Sequence, residues 1–257
     1  ELFGDRSIEA DFEIMSLMIS SLHSLGLDDI HVELGDVSVY RILIEQAALE
    51  SSVGDEIFGL IQKKARHALV QSTKAWVKDR DLADRINALL DLCGSANVLD
   101  DAEQIFAGDS VALSAVERLR ALIERLSSRF PTLTLSIDLS ELRGFSYHTG
   151  VGFAAYHNGS GRLMARGGRY DNVGELFGRA RPATGFDIEL SSLLDQLPST
   201  ETEPLVDVDT LDQPTKAIEA ALWEKLAALR SEGYRVIEGE SVGKQALKRL
   251  QFDGSKW

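Results

Sequence analysis

Apolar positions along the chain change period. Ile8, Phe12, Met15, Ile19 and Leu22 recur every three or four residues, which predicts an amphipathic helix over 7–25. Asp11 and Glu13 suit the positive end of that helix, and Gly26 supplies a stop. A short strand is expected at 30–34. From 39 to 129 the pattern is helical throughout, with runs at 39–49, 54–67, 81–92 and 113–128. Then Leu133, Leu135, Ile137 and Leu139 alternate with polar residues, which is strand spacing. A long hairpin follows: a first arm over 144–157, a turn at Asn158-Gly159-Ser160-Gly161, and a second arm over 162–166. A further strand over 184–190 leads into a short helix at 191–197.

Residues 198–204 are acidic, polar and bounded by prolines, so they read as a linker. Beyond it, a strand at 205–208, a helix at 215–231 and a strand at 234–237 form a small α/β unit over 205–257. The predicted class is α+β, with a core over 1–197 and this C-terminal unit.

Composition narrows the chemistry. The chain has 257 residues, and 27 Lys and Arg against 41 Asp and Glu give a net charge of −14. With no block of basic residues to oppose that field, a dedicated nucleic-acid partner is disfavoured. One cysteine excludes a disulfide framework and a cysteine-rich zinc site. Cys93, within an apolar stretch read as helix, is expected to be a small buried hydrophobe. No apolar run approaches the ~18–20 residues that span a bilayer, and no charged-then-apolar signal segment opens the chain. The expected setting is a reducing cytoplasm, with no membrane partner. The five histidines are scattered at His23, His31, His67, His148 and His157, without metal-ligand pairing, so no metal is expected. Phosphate-binding Gly-x-x-x-x-Gly-Lys and nucleophile-elbow Gly-x-Ser-x-Gly motifs are absent from these 257 residues, and no cofactor or catalytic residue is assigned.

The informative stretch is 142–189. Treated as a strand, the first hairpin arm puts Phe145, Tyr147, Val151 and Phe153 on one face. Ser146, His148, Gly150, Gly152 and Ala154 fall on the other. Glycines inside a strand mark a bulge or a close approach by something else. That something is either a small ligand or another backbone segment. In Ala165-Arg-Gly-Gly-Arg-Tyr-Asp171, the two glycines are expected to turn the chain sharply at the end of the second arm. Arg169 offers a planar fork for a carboxylate, and Tyr170 a ring and a hydroxyl. A small anionic or zwitterionic ligand fits these groups, and a structural Arg–Asp pair closing a turn is the alternative.

At these residues the sequence resembles a known family. Arg143-Gly-Phe-Ser-Tyr-His-Thr-Gly150 and Gly167-Gly-Arg-Tyr-Asp171 resemble the two histidine-recognition signatures of histidyl-tRNA synthetases, Arg-Gly-Leu-Asp-Tyr-Tyr-Thr-Gly and Gly-Gly-Arg-Tyr-Asp. Glu1-Leu-Phe-Gly4 with Ala10-Asp-Phe-Glu13 resembles the family's Glu-x-x-Gly and Ala-Asp-x-Glu segment. Thr184-Gly-Phe-Asp-Ile-Glu-Leu190 resembles its final motif. The four segments stand in order over residues 1–195. The resemblance implies the class II synthetase catalytic-domain fold, an antiparallel sheet flanked by helices. It also implies a histidine site formed by Glu1, Arg143, Tyr147, His148, Arg169 and Tyr170.

The departures bear on function. In the synthetases the last motif continues Gly-Phe-x-x-Gly-Leu-Glu-Arg, and that Arg holds ATP. Here the corresponding positions are Glu189, Ser191 and Ser192. Losing one charged hydrogen bond in a closed site costs ~1.5–3 kcal/mol, and Glu189 adds a carboxylate near the nucleotide. In the first signature Ser146 replaces Asp and His148 replaces the second Tyr.

That combination is similar to the regulatory subunit of ATP phosphoribosyltransferase, a synthetase-like paralogue of histidine biosynthesis. The resemblance implies a non-catalytic subunit that self-associates as a dimer. It would assemble with short-form catalytic subunits into a hetero-oligomer, commonly an octamer, and mediate feedback inhibition by histidine without tRNA. The C-terminal unit is shorter than an anticodon-binding domain of about 100 residues, a typical domain size. A histidyl-tRNA synthetase and a stand-alone histidine-binding protein are the rival readings. With Ser192 and Glu189 in the nucleotide motif, histidine-dependent pyrophosphate exchange by the purified protein should stay at background. Turnover well above background would restore the synthetase reading.

Overall fold

The computed structural model describes residues 1–142, 144, 147–197, 205–209, 215–239 and 248–253, without the side chains of Leu176, Phe177 and Lys248. The predicted linker at 198–204 lies outside the described residues. The chain divides into two compact units, Glu1–Leu197 and Pro198–Trp257.

The first unit runs β1 (Leu2–Phe3), α1 (Ile8–Ser24), β2 (Ile30–Asp36), α2 (Val37–Ala47), α3 (Ser51–Gln62), α4 (Arg66–Trp76), α5 (Arg80–Ala88), β3 (Cys93–Gly94), α6 (Val98–Ile105), α7 (Ser110–Arg129), β4 (Thr134–Asp138), β5 (Val151–His157), β6 (Leu163–Arg169), β7 (Ala183–Ile188) and α8 (Leu190–Gln196). Its seven strands form one sheet in the order β1-β7-β6-β5-β2-β4-β3. Every pairing is antiparallel except β2 with β4. A parallel pair needs a long crossover, and the helices α2 to α7 with β3 lie within it. The helical stretch read from the sequence is therefore the connection between two adjacent strands.

One sheet face is apolar. Val32 pairs with Ala155, which pairs with Ala165, and Leu34 pairs with Phe153. On α1, Ile14, Met15, Met18, Ile19 and Leu22 are buried, as are Ala115, Val116, Leu119, Leu122 and Leu126 on α7. These helices contact each other, α1 contacts β5, β6 and β7, and α7 contacts β2. Burying each large side chain contributes about 1.5–3 kcal/mol, so this layer dominates folding.

Two buried charged residues break the apolar face, Asp36 on β2 and Arg169 on β6. Arg169, on β6, is 5% exposed. Its Nη2 lies 2.9 Å from Oδ1 of Asp11, and its Nε donates to Oδ2 at 3.1 Å. Nη1 donates to the carbonyl of Asp5 at 3.0 Å and to Asp171 at 3.2 Å, and Nη2 donates to the carbonyl of Ser7 at 3.2 Å. Burial pulls the guanidinium pKa down, but Asp11 and Asp171 outweigh that and hold it above its ordinary value. Asp11 thus serves as a buried counter-ion as well as a first-turn acid.

Several expectations change. The first hairpin arm is strand only from Val151; before it, Tyr147 and His148 both donate backbone N–H groups to the carbonyl of Gly144, a turn that Gly144 permits at φ +76°. The glycine pair makes no turn. Gly167 and Gly168 lie inside β6, paired with Phe153 and Gly152 on one side and with Phe186 and Gly185 on the other. The run over 54–67 breaks after α3, where Lys64 takes a left-handed φ of +53°. The Lys64 ammonium reaches Asp138 at 2.6 Å and also Ser140. No glycine or proline marks that break, and α4 and α6 follow as separate helices. Cys93 is exposed on the short edge strand β3 rather than buried in a helix.

In the second unit, β8 (Leu205–Val208), α9 (Lys216–Ser231), β9 (Arg235–Glu238) and β10 (Lys248–Leu250) build a parallel sheet in the order β10-β8-β9. Thr215 caps α9 through the backbone N–H of Ile218.

Removing one member of a buried ion pair strands the other, at a cost of about 3–5 kcal/mol. Arg169→Met should lower the urea unfolding free energy by that order, with Arg169→Lys between it and the native chain. A Met variant as stable as the parent would show that Asp11 is not held by this pair.

Candidate functional site

The register places four glycines side by side across four strands. Gly35 of β2 faces Gly152 of β5, Gly152 faces Gly168 of β6, and Gly168 faces Gly185 of β7. None of the four has a positive φ, so their backbone conformation does not demand glycine. Close approach does at Gly35, Gly168 and Gly185. A Cβ on Gly35 would sit 2.6 Å from the carbonyl oxygen of Asp138, and one on Gly168 would sit 2.7 Å from Cε1 of His148. A Cβ on Gly185 would sit 2.8 Å from the Tyr170 hydroxyl and 2.9 Å from Cγ of Glu1. The bare row is a floor on which other groups rest.

The next row on the same face is charged. Glu33 faces Ala154, Ala154 faces Arg166, and Arg166 faces Asp187. Over these two rows lies a cavity of about 270 Å³, lined among others by Glu33, Glu141, Arg166 and Asp187 and by Tyr147 and His148. Nε of Arg166 is 3.5 Å from Asp187, and its Nη2 is 3.8 Å from Glu189.

Tyr170 is 5% exposed and donates its hydroxyl to Oε1 of Glu1 at 2.6 Å. Its ring stacks on Tyr147, with centroids 4.8 Å apart and planes at 27°. Tyr147 in turn lies 5.5 Å from the His148 ring. Burial first, then the bond to the Glu1 carboxylate, pushes the Tyr170 phenol well above its ordinary range. Burial and the Glu1 charge raise that of Tyr147 as well.

The loop carrying Tyr147 and His148 is fixed from the helical layer. Arg41 of α2 donates to the carbonyl of His148 at 3.1 Å, and the backbone N–H of Val37 donates to the carbonyl of Gly150 at 3.1 Å. Asp36 caps α2 through the N–H of Ser38 and pairs with Arg118 of α7 at 2.7 Å.

Of the six residues expected to form the site, Glu1, Tyr147, His148 and Tyr170 come together. Arg169 points to the opposite, buried face of the sheet, where its donors are taken up by Asp11, Asp171 and two carbonyls. Arg143, with Phe145 and Ser146, lies outside the described residues. Sequence reading passed over Gly35, Glu33, Asp187 and Arg41. The period-2 pattern of β2 put Glu33 and Gly35 on one face, but only the strand register shows what they face. Among the described residues, no group of three or more His, Cys, Asp or Glu side chains could hold a metal ion, and no helix is long and apolar enough to cross a membrane.

Residues 1–193 match the family model described as histidyl-tRNA synthetase. The chain belongs to that family. Proteins named ATP phosphoribosyltransferase regulatory subunit are similar to it: one from Pseudomonas fluorescens is 44% identical over 93% of this chain and 59% of its own length. One from Pseudomonas savastanoi is 42% identical over 98% of this chain and 62% of its own. The chain thus spans about three fifths of these curated relatives. Among solved structures, an ATP phosphoribosyltransferase regulatory subunit/histidyl-tRNA synthetase from Bacillus halodurans superposes with a TM-score of 0.71. It is 23% identical, over 97% of this chain and 66% of that one. A HisG:HisZ ATP phosphoribosyl transferase complex from Thermotoga maritima gives 0.56 at 20% identity, over 72% and 63%. These two likenesses show the histidyl-tRNA synthetase-like fold, the class expected from the sequence.

The raised Tyr170 pKa has a definite sign. The folded state favours the protonated phenol, so the associated stability is present below pH ~10, the ordinary tyrosine value, and is lost as pH rises beyond it. In an absorbance titration at 295 nm, Tyr170→Phe should remove one late-titrating phenol. It should also lessen the alkaline loss of stability. Loss of a phenol that titrates near pH ~10, the ordinary tyrosine value, would separate Tyr170 from Glu1.

Proposed function

We propose that this chain is the synthetase-like part of a regulatory subunit of ATP phosphoribosyltransferase, non-catalytic itself and responsive to histidine. The observation that carries the reading is its 42–44% identity, over nearly its whole length, to relatives bearing that name. The site agrees. Glu1, Tyr170 and Tyr147 form a compact polar and aromatic cluster beside a glycine floor, suited to a small amino acid with a flat ring. Toward the position where a synthetase holds ATP, the chain offers Asp187 and Glu189 around Arg166, and Ser191 and Ser192 on α8. Among the described residues, carboxylates already engage Arg166, the arginine that lines the cavity, and a triphosphate would meet the negative charges of Glu33, Glu141 and Asp187 there.

In this reading the partner is the short-form catalytic subunit, in a hetero-oligomer of octameric type built on dimers of this chain, in the cytoplasm and without tRNA. Histidine acts by binding the active and inhibited states of the complex unequally, since tight binding by itself shifts nothing. A coupling of ~1–3 kcal/mol, about 5–150-fold, is typical of such linkage.

The test mixes the purified protein with short-form catalytic subunit and follows product formation with and without histidine. Activity should rise on mixing and fall severalfold with histidine, while Tyr170→Ala should assemble but lose most of the inhibition. No co-purification and no change in rate would remove the regulatory role.

A further inference from the structure

The glycine floor is not bare at its centre. The imidazole of His148 lies on it. A Cβ on Gly168 would sit 2.7 Å from Cε1 and 2.9 Å from Nδ1 of that ring, and one on Gly152 would sit 3.5 Å from Nδ1. From another direction, a Cβ on Gly144 would sit 2.9 Å from both atoms. Three positions without side chains therefore surround one five-membered ring. Tyr147 flanks it at 5.5 Å, and the ring also lines the open cavity. Of the five histidines in the chain, only His148 lines this cavity.

The backbone beneath the ring is pinned. The N–H of His148 donates to the carbonyl of Gly144 at 2.6 Å, and its own carbonyl accepts from Arg41 at 3.1 Å. Rotation about χ1 and χ2 moves the imidazole off the floor while these two backbone bonds stay made.

We infer that the patch formed by Gly144, Gly152 and Gly168 is a subsite for a five-membered heteroaromatic ring, and that His148 is its tethered occupant. An incoming ligand with such a ring enters by displacing His148. The inference rests on the histidine reading of this pocket for its ligand, and it reverses the expected role of His148. The side chain competes with the ligand instead of holding it. A binding site that is vacant only a fraction of the time lowers apparent affinity by that fraction. Shortening the side chain should therefore strengthen binding.

The probes are 4-methylimidazole and histidine, titrated calorimetrically into the full chain and into His148→Gly and His148→Ala. Both variants should bind 4-methylimidazole about tenfold or more tighter than the parent, and histidine likewise, with circular dichroism confirming the fold. Affinities equal to or weaker than the parent's in folded variants would overturn the inference. Gain for 4-methylimidazole with no histidine binding by any form would uphold the subsite and remove the histidine reading. A measurement on the unaltered protein guards against variants that fail to fold. With isotope-labelled histidine side chains, nuclear Overhauser contacts between the His148 ring and the Gly168 α protons should disappear at saturating 4-methylimidazole. Their persistence in the bound state would overturn the inference independently.

Discussion

The guanidinium of Arg169 connects nearly every part of the first unit that matters to the site. A buried cation is tolerable only when its donors are met, and here they are met by groups from three places in the chain. Asp5, Ser7 and Asp11 belong to the start of the chain and the first turn of α1. Asp171 follows the strand that carries the arginine. Meanwhile the carbonyl of Arg169 accepts the N–H of Thr149, which fixes the loop bearing Tyr147 and His148. The strand alternates around this anchor. Gly168 points to the floor, Arg169 to the buried side, and Tyr170 back toward Glu1. One short segment thus holds α1 against the sheet and sets the ring of Tyr170 in the site.

That alternation explains what could be read from the sequence and what could not. Helix α1, strand β2 and the hairpin turn follow from local period and turn residues. The strand at 184–190 and the strand, helix and strand of the C-terminal unit required only the same reasoning, whereas β10 and the parallel pairing did not follow from it. Arg169 has the chemistry of a ligand-binding residue, and by composition alone it belongs beside Tyr170. Its real partner, Asp11, lies far away in sequence, and no local pattern joins the two. The glycine pair misled for a related reason. Two adjacent glycines suit a sharp turn, yet here each fits a close approach across the sheet: Gly167 beneath the Phe153 ring and Gly168 beneath His148.

The four-glycine row was hidden more deeply still. Its members come from four strands, and only the register brings them together. Glycine at such positions weakens each strand by roughly 0.5–1 kcal/mol relative to alanine. That cost is offset where covering groups pack against the backbone. The row is accordingly filled along its length, by the Asp138 carbonyl, the His148 ring and the Tyr170–Glu1 pair. Sequence reading left open whether the small-residue face met a ligand or another segment of the chain. The structure shows the chain itself on that face, with a cavity alongside.

The site divides into parts that differ in how strongly the fold constrains them. Tyr170 and the glycine floor are bound to the core through β6 and its buried ion pair, so substitutions there disturb packing as well as recognition. Ser191 and Ser192 lie on the short helix α8, and Arg166, Asp187 and Glu189 lie at the sheet surface with side chains about half exposed. Exposed positions of that kind usually tolerate substitution within about 0.5 kcal/mol. On the proposed function, residues at the nucleotide end of the pocket can therefore change at little cost to stability, while the proposed amino-acid end stays tied to the architecture. In the proposed function, that asymmetry is how a synthetase-like framework comes to sense an amino acid without activating it.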